Sequence, residues 1–393
     1  METSQKASRS LMHVRSFEKA LQGYTGKIPL ARFLTQFFKE NKQMGSRDRK
    51  NVSRLLYHYF RIGNAASKEP ILKRLAISEI LAGGDPQLVE ALTPQLHPLC
   101  EVSLERKIDG LVAQTSFRIE DVFPCVASLS PEIDTTLFLK SFFGQPNLFI
   151  RTKKNHTPAI LKALEDSQVS YQLVSPKTLA FENGTSLQQL DLPKGSYQVQ
   201  DLSSQRVLSD IETASNASWW DACSGSGGKS LNLLDQFPNL RLLVTDVRPS
   251  ILRNLAERFE EAGITSYRAK VLDLTKGTEL LGDERFDGII LDVPCSGSGT
   301  WGRTPEQLSQ FHSSRITFFS SLQREIAGRA LPHLAEHGSL YYITCSVFAQ
   351  ENEAVIEYLT AHHPLEVIRI RYEKGYAYQA DTLFVAQLKW KKK

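Results

Sequence analysis

The chain has 393 residues, 41% of them hydrophobic and 23% charged, with a net charge of +4, the profile of a globular protein of two or three domains. No apolar run approaches the roughly eighteen residues of a membrane-spanning helix, and Met1-Glu2-Thr3-Ser4-Gln5-Lys6 leads into no apolar signal-peptide core. The expectation is therefore a cytoplasmic protein with no membrane partner. Cys100, Cys125, Cys223, Cys295 and Cys345 form no CxxC pair, which argues against a zinc site or a disulfide scaffold and for free thiols without metal.

Residues 1–130 read as a helical, basic domain. Phe33, Phe37 and Phe38 recur at helical spacing, as do Leu55, Leu56, Tyr59 and Phe60; packing explains these aromatics better than base stacking. Gly45-Ser46 interrupts the pattern, and Ser46 could cap the next helix. Residues 1–66 hold 13 Lys and Arg against 4 Asp and Glu, so the remainder of the chain is net negative. Arg47, Arg49 and Lys50, continued by Arg54 and Arg61, could face a polyanion such as nucleic acid. A solvated helix surface explains the same charges nearly as well.

Residues 131–200 read as a small α/β subdomain. Its strands are expected at 147–151, 171–174 and 197–200, with a helix at 158–164. From 201 to 393, strands at 218–220, 240–245, 267–272, 286–291 and 339–343 alternate with helices at 228–237, 249–262, 305–335 and 351–361. A strand pair at 365–371 and 382–388 closes the chain, and the tail Lys389 to Lys393 is expected to fray. This alternation predicts a Rossmann-like, doubly wound α/β domain. The Trp219-Trp220 pair reads as packing.

Asp221-Ala222-Cys223-Ser224-Gly225-Ser226-Gly227-Gly228-Lys229-Ser230 follows the first strand of that sheet. The P-loop pattern fails because Cys223 stands where glycine is required, and the dinucleotide fingerprint fails at Ser230. A close backbone approach to a smaller ligand remains. Asp246, Asp273 and Asp292 then end three successive strands. One such Asp is usually a cap; three after a glycine loop suggest one shared ligand with a ribose, an adenine and a charged arm, namely S-adenosyl-L-methionine.

Cys295 and Cys345 each follow a strand, so both should open into the crevice at the carboxyl ends of the sheet. Both also precede a predicted helix, whose N-terminus would favour a thiolate. Buried packing and a redox pair are the competing readings. Two thiols beside a carboxylate suit methylation of a pyrimidine at carbon 5. There a thiolate adds to carbon 6, an acid hydrogen-bonded to the ring (Asp292) favours the addition, and a second thiol assists release.

At these residues the chain resembles the RsmB/Nop/Sun family of RNA cytosine-5 methyltransferases, over about 195–390. The loop 221–230, Asp246 with Arg258 and Gly263, Asp273, the run Asp292-Val293-Pro294-Cys295-Ser296-Gly297-Ser298-Gly299, and Thr344-Cys345-Ser346 with Glu351-Asn352-Glu353 carry the likeness. The resemblance implies a class I methyltransferase domain using S-adenosyl-L-methionine, with Cys345 as nucleophile, Cys295 in product release, and Asp292 and Lys229 at the target base. It implies cofactor contacts from Cys223, Ser224, Gly225, Gly227, Gly228, Lys229, Asp246, Arg248, Asp273 and Asp292. More loosely, 149–151 and 200–205 resemble the family's small RNA-binding subdomain, and 45–61 is similar to the NusB-like domain of the rRNA-directed branch. The expected partner is thus RNA, rRNA before tRNA, bound by a monomer. A non-catalytic RNA-binding assembly factor and a small-molecule methyltransferase stay open as other readings. The chain departs from the family's usual Ala-Ala-Pro-Gly-Gly-Lys loop at Ser224-Gly225-Ser226, and from its Arg-Asn-Pro at Arg303-Thr304-Pro305.

Overall fold

The computed structural model describes residues 2–153, 155–190, 192 and 195–392. They form two compact units, one made of 1–127, 134–145 and 301–313, the other of 128–133, 146–300 and 314–393.

The first unit is helical, with helices Glu2–Gly23, Leu30–Glu40, Ser46–Arg61, Ile71–Ala82, Pro86–Leu92, Leu104–Gln114, Thr135–Ser141 and Gln307–Gln310. Val14, Phe17, Leu34, Phe37, Leu55, Leu56 and Phe60 build one core, so the aromatic spacing marks packing as expected. Ser46 does not cap its helix. It is the first helical residue, and the Asp48 carboxylate takes the Gly45 amide at 3.1 Å. The basic cluster is also smaller than expected. Arg61 is 2% exposed and donates from one guanidinium nitrogen to the carbonyls of Phe142, Gly144 and Gly302. Arg54 pairs with the buried Glu79, which also holds His58. Arg61 is not left for a phosphate, because a buried guanidinium must spend its donors inside the fold, while Arg54 is partly exposed but neutralised by Glu79.

The second unit contains two sheets. Strands β1 (Leu148–Thr152), β2 (Gln172–Ser175), β3 (Thr178–Phe181) and β4 (Tyr197–Val199) make a small antiparallel sheet in the order β2-β3-β1-β4. The large sheet holds β5 (Ser218–Asp221), β6 (Arg241–Asp246), β7 (Arg268–Val271), β8 (Phe286–Asp292), β9 (Leu334–Thr344), β10 (Leu365–Lys374) and β11 (Thr382–Trp390), in the order β10-β11-β9-β8-β5-β6-β7. β9, β8, β5, β6 and β7 run parallel, and β10 and β11 form an antiparallel edge.

Alternation along the strands sends neighbouring residues to opposite faces. Trp220, Leu243, Ile289, Leu291 and Tyr342 pack with Ile326 and Ala327 of helix Ser314–Ala330 and Val355 of helix Glu353–His362. Trp219, Val244, Ile290 and Ile343 pack on the other side with Leu231 of helix Gly228–Gln236 and Leu255 and Phe259 of helix Pro249–Glu261. The sheet is therefore doubly wound and Rossmann-like, as its alternation predicts, and the tryptophan pair is core. Two details differ. The helix expected at 305–335 is two separate helices, because 301–313 folds with the helical unit. The tail residues Lys389 and Trp390 are held in β11, opposite Glu366 and Leu365; Lys393 lies outside the described residues. The strand order reverses between β5 and β8, where α/β sheets open a crevice at the carboxyl ends of their strands.

Candidate active site

That crevice exists. It encloses about 1030 Å³ of space, part of it open solvent, and Cys223, Asp246, Arg248, Asp273, Asp292, Cys295 and Cys345 all line it. Strand ends from β5 to β9 supply each of them, which is why residues 122 positions apart meet in one place.

The cysteines form the centre. Cys295 Sγ and Cys345 Sγ are 3.2 Å apart, and both are free thiols. The Cys345 sulfur, together with burial, pushes the Cys295 thiol well above its ordinary range. Neither cysteine stands at the α-helix N-terminus expected for it. Cys295 is followed by the 3₁₀ turn Ser298–Thr300, and Cys345 by the 3₁₀ turn Ala349–Glu351. The nearby positive charge is Lys229, whose Nζ lies 2.6 Å from Asp292 Oδ2. Burial works to lower the lysine, but Asp292 and then Cys345 hold it above its ordinary value.

Hydrogen bonds join the two cysteine loops. Glu351 is fully buried. Its Oε2 accepts from the Ser296 amide at 2.8 Å and from Gln323 Nε2 at 3.0 Å, and its Oε1 accepts from Ser346 Oγ at 2.8 Å. The Gly299 amide donates to the Cys345 carbonyl at 2.8 Å. A Cβ at Gly299 would stand 2.0 Å from the Thr382 carbonyl oxygen, so only glycine allows that approach. Asn352 closes the far side, accepting from Thr344 Oγ1 at 2.6 Å and donating to the Ser346 carbonyl at 2.9 Å. The sequence names this Glu-Asn-Glu run only as part of a motif. Its bracing role escapes notice because an isolated Glu in a polar segment reads as surface.

The loop's glycines answer to different requirements. Gly227 has φ +79°, and a Cβ there would meet Phe259 at 2.7 Å and Leu255 at 2.9 Å. Its requirement is left-handed backbone and close packing on helix Pro249–Glu261. Gly225, at φ +51°, has open space where its Cβ would be, and its amide donates to Asp246 Oδ2 at 3.1 Å. The Ser224 amide and hydroxyl both donate to the Thr245 carbonyl, at 2.9 and 3.2 Å. Gly228 begins the helix.

The carboxylates differ among themselves. Asp246 accepts from the Gly225 amide and from the Arg248 amide and guanidinium. Burial works against its ionisation, yet Arg248 holds it below the usual carboxylate range. Asp273 accepts from the Thr275 hydroxyl and amide at 2.7 and 3.1 Å, which lowers it too. Asp221, at the end of β5, is 1% exposed. Ser230 Oγ donates to its Oδ2 at 2.6 Å, and its Oδ1 has no partner; burial pushes this carboxyl up to about 7. Burial, followed by the neighbouring Asp221, raises the Cys223 thiol far above its ordinary value, so it is not a candidate thiolate.

The residues of the expected small subdomain that resemble RNA-binding positions are largely committed within the fold. Arg151 is buried, bonded to Gln200 at 2.9 Å and paired with Asp235. Gln200 Nε2 donates to the Gly228 carbonyl at 3.1 Å, and Gln205 accepts from Thr178 Oγ1 at 2.7 Å. Among the described residues no helix is long and apolar enough to cross a membrane, and no cluster of His, Cys, Asp and Glu could hold a metal ion.

Residues 209–388 match the family model described as 16S rRNA methyltransferase RsmB/F. The chain is 34% identical over 185 residues to ribosomal RNA small subunit methyltransferase B of Xylella fastidiosa, covering 46% of this chain and 43% of that one. It is 29% identical over 171 residues to the probable ribosomal RNA small subunit methyltransferase B of Bacillus subtilis, covering 43% and 38%. This chain thus spans less than half the length of either relative. Among solved structures, PH0851 is similar with a TM-score of 0.71 at 20% identity, covering 95% of this chain and 97% of that one. NSun6 from Pyrococcus horikoshii, solved with SFG, is similar with a TM-score of 0.60 at 15% identity, covering 68% and 97%. The solved structures share the fold, and the family-model match falls on the stretch that carries the loop, the carboxylates and both thiols. Residues 209–388 are thus similar to the RsmB/F-type methyltransferases in sequence, and the chain shares its fold with the solved neighbours.

Proposed function

We propose that this chain is an S-adenosyl-L-methionine-dependent methyltransferase acting on carbon 5 of a cytosine in RNA, with rRNA as the substrate. The observation that carries the reading is the pair of free thiols 3.2 Å apart in a crevice also lined by Asp292, which Lys229 holds from behind at 2.6 Å. The names of the sequence relatives favour rRNA over tRNA.

The crevice residues fit the cofactor. Leu272, Leu274 and Val247 offer apolar walls for an adenine, and Asp273 lies among them to accept from its amino group. Asp246 suits a ribose diol, but its oxygens are occupied by Arg248. The Arg248 side chain is 59% exposed, so an arriving diol displaces a guanidinium that has solvent to move into. Ser224, Gly225, Gly227 and Gly228 shape the backbone for the methionine arm, with Cys223 beside them. When bound, the cofactor supplies an electrophilic methyl group.

The chain's own residues do the rest. Cys345 gives its proton to solvent water, and its thiolate adds to carbon 6 of the cytosine, leaving the electron pair of the 5,6 double bond at carbon 5 for the incoming methyl group. Asp292, held by Lys229, hydrogen-bonds the ring and favours that addition. Cys295 stays a thiol, as the neighbouring Cys345 sulfur and burial favour; once the carbon 5 proton has passed to water, it helps release Cys345 as the leaving thiolate. The glutamate brace at 351 keeps both sulfurs in reach of one base.

A map of 5-methylcytosine in cells with and without the gene tests the reading. Loss of one rRNA cytosine's methyl group is the expected result. Loss confined to a tRNA would overturn the substrate, and no loss at all would overturn the activity.

A further inference from the structure

We propose that Arg258 is a positioning residue that fixes the cofactor loop from the small sheet, so that cofactor affinity depends on a contact outside the crevice. The inference rests on the reading of 223–229 as the cofactor loop.

The loop is pinned at Ser224 and Gly227 but has no side-chain packing of its own at Gly225. Gly225 and Gly227 both have positive φ, and Gly225 has nothing within 4 Å of a Cβ position. Glycine loses more freedom on ordering than any other residue, and a ligand that must order a loop binds more weakly by that cost. No proline stiffens the segment, because Ser226 stands between the two glycines.

Ser226 is held from outside. Arg258 NH1 donates to its carbonyl at 2.9 Å and to its hydroxyl at 3.0 Å, while NH2 donates to Gln198 Oε1 of β4 at 3.0 Å. One planar guanidinium thus spans loop and sheet with a fixed fork of donors, which an ammonium cannot reproduce. The same sheet grips the loop's other end, where Gln200 Nε2 meets the Gly228 carbonyl. It is anchored to both flanking helices, through Arg151 to Asp235 and through Lys153 Nζ to the Ala262 carbonyl. Arg258 does not line the crevice, so its effect reaches the ligand indirectly, through the loop it holds at Ser226 and the sheet it holds at Gln198.

Calorimetric titration of the full chain with S-adenosylhomocysteine tests this. Arg258→Ala should weaken binding about tenfold and raise KM for S-adenosylmethionine to match, with kcat at saturating cofactor and RNA affinity unchanged. Arg258→Lys should restore only part. Ser226→Ala, which removes one of the two acceptors and leaves the core intact, should give a smaller loss that does not add to that of Arg258→Ala. Unchanged cofactor affinity in Arg258→Ala, or an equal loss of RNA affinity, would overturn the clamp. Failure of the unmutated chain to bind S-adenosylhomocysteine would instead remove the cofactor reading on which the clamp depends.

Discussion

Cys295 and Cys345 are fifty residues apart in sequence, yet their sulfurs lie 3.2 Å from each other. Their surroundings differ, since burial and the partner sulfur keep Cys295 protonated. Cys295→Ala should therefore accumulate a protein–RNA adduct that survives denaturing electrophoresis, because addition proceeds and release does not. Cys345→Ala should form none. Adduct with Cys345→Ala and none with Cys295→Ala would reverse the assigned roles.

Glu351 braces the loops that carry these thiols. Glu351→Ala leaves the Ser296 amide, Gln323 Nε2 and Ser346 Oγ without their buried acceptor. The expected cost is about 3 kcal/mol of stability or more, with a fall of at least tenfold in methyl transfer. Glu351→Gln keeps one carbonyl oxygen for Ser296 and Gln323 and can donate to Ser346 Oγ, so it should retain most of both. Chemical unfolding and single-turnover rates on the two variants check this; equal losses would show that the charge, not the bracing, matters.

Asp221 predicts a pH dependence. Its folded-state pKa is raised from 3.8 to about 7 by burial, so the native chain binds more protons than the unfolded one between those values. Stability contributed by the protonated carboxyl is full below about pH 4 and is lost as pH rises through 7. Asp221→Asn removes that slope while keeping an oxygen for Ser230 Oγ. Urea unfolding at pH 5 and pH 8 should show the difference between the two pH values shrinking in the variant, by an amount on the order of a few kcal/mol. An unaltered difference would mean Asp221 is ionised in the fold at pH 5.

The two loop glycines should respond unequally. Gly227→Ala meets both a φ of +79° and the Phe259 and Leu255 side chains, and should cost more than about 2 kcal/mol. Gly225→Ala meets only its φ of +51° and should cost about 1 kcal/mol. Thermal unfolding of the pair decides it, and a larger loss at Gly225 would refute the packing argument.

Much of the crevice is legible in the sequence because its residues sit at strand ends. Asp246 and Asp292 close β6 and β8 where hydrophobic runs stop, and Asp273 follows β7 by two residues. The small strand β3 is not legible, since four residues between Lys177 and Glu182 give too little alternation. Nor is the commitment of Arg61 to buried carbonyls, because helical spacing says where an arginine points and nothing of the segments that later cover it. Glu351 is hidden for the same reason. The break at 311–313 goes unseen because no glycine or proline marks it.

β8 and β9 lie side by side with Asp292 opposite Ile343, and that pairing sets where the two sulfurs fall. The gauge of the reaction centre is the hydrogen-bond ladder across the sheet, not the length of chain between the cysteines. The connecting segment leaves to fold at 301–313 with the helical unit and then returns. That excursion is packed into the helical unit, with Trp301 and Leu308 buried and the Gly302 carbonyl holding Arg61, so it answers to that unit's packing and not to the spacing of the sulfurs. A slip of β9 by one residue would turn its side chains to the opposite face and carry one thiol away from the other. The connection is thus constrained by one unit and the sulfurs by the other, whose ladder tolerates no change of step.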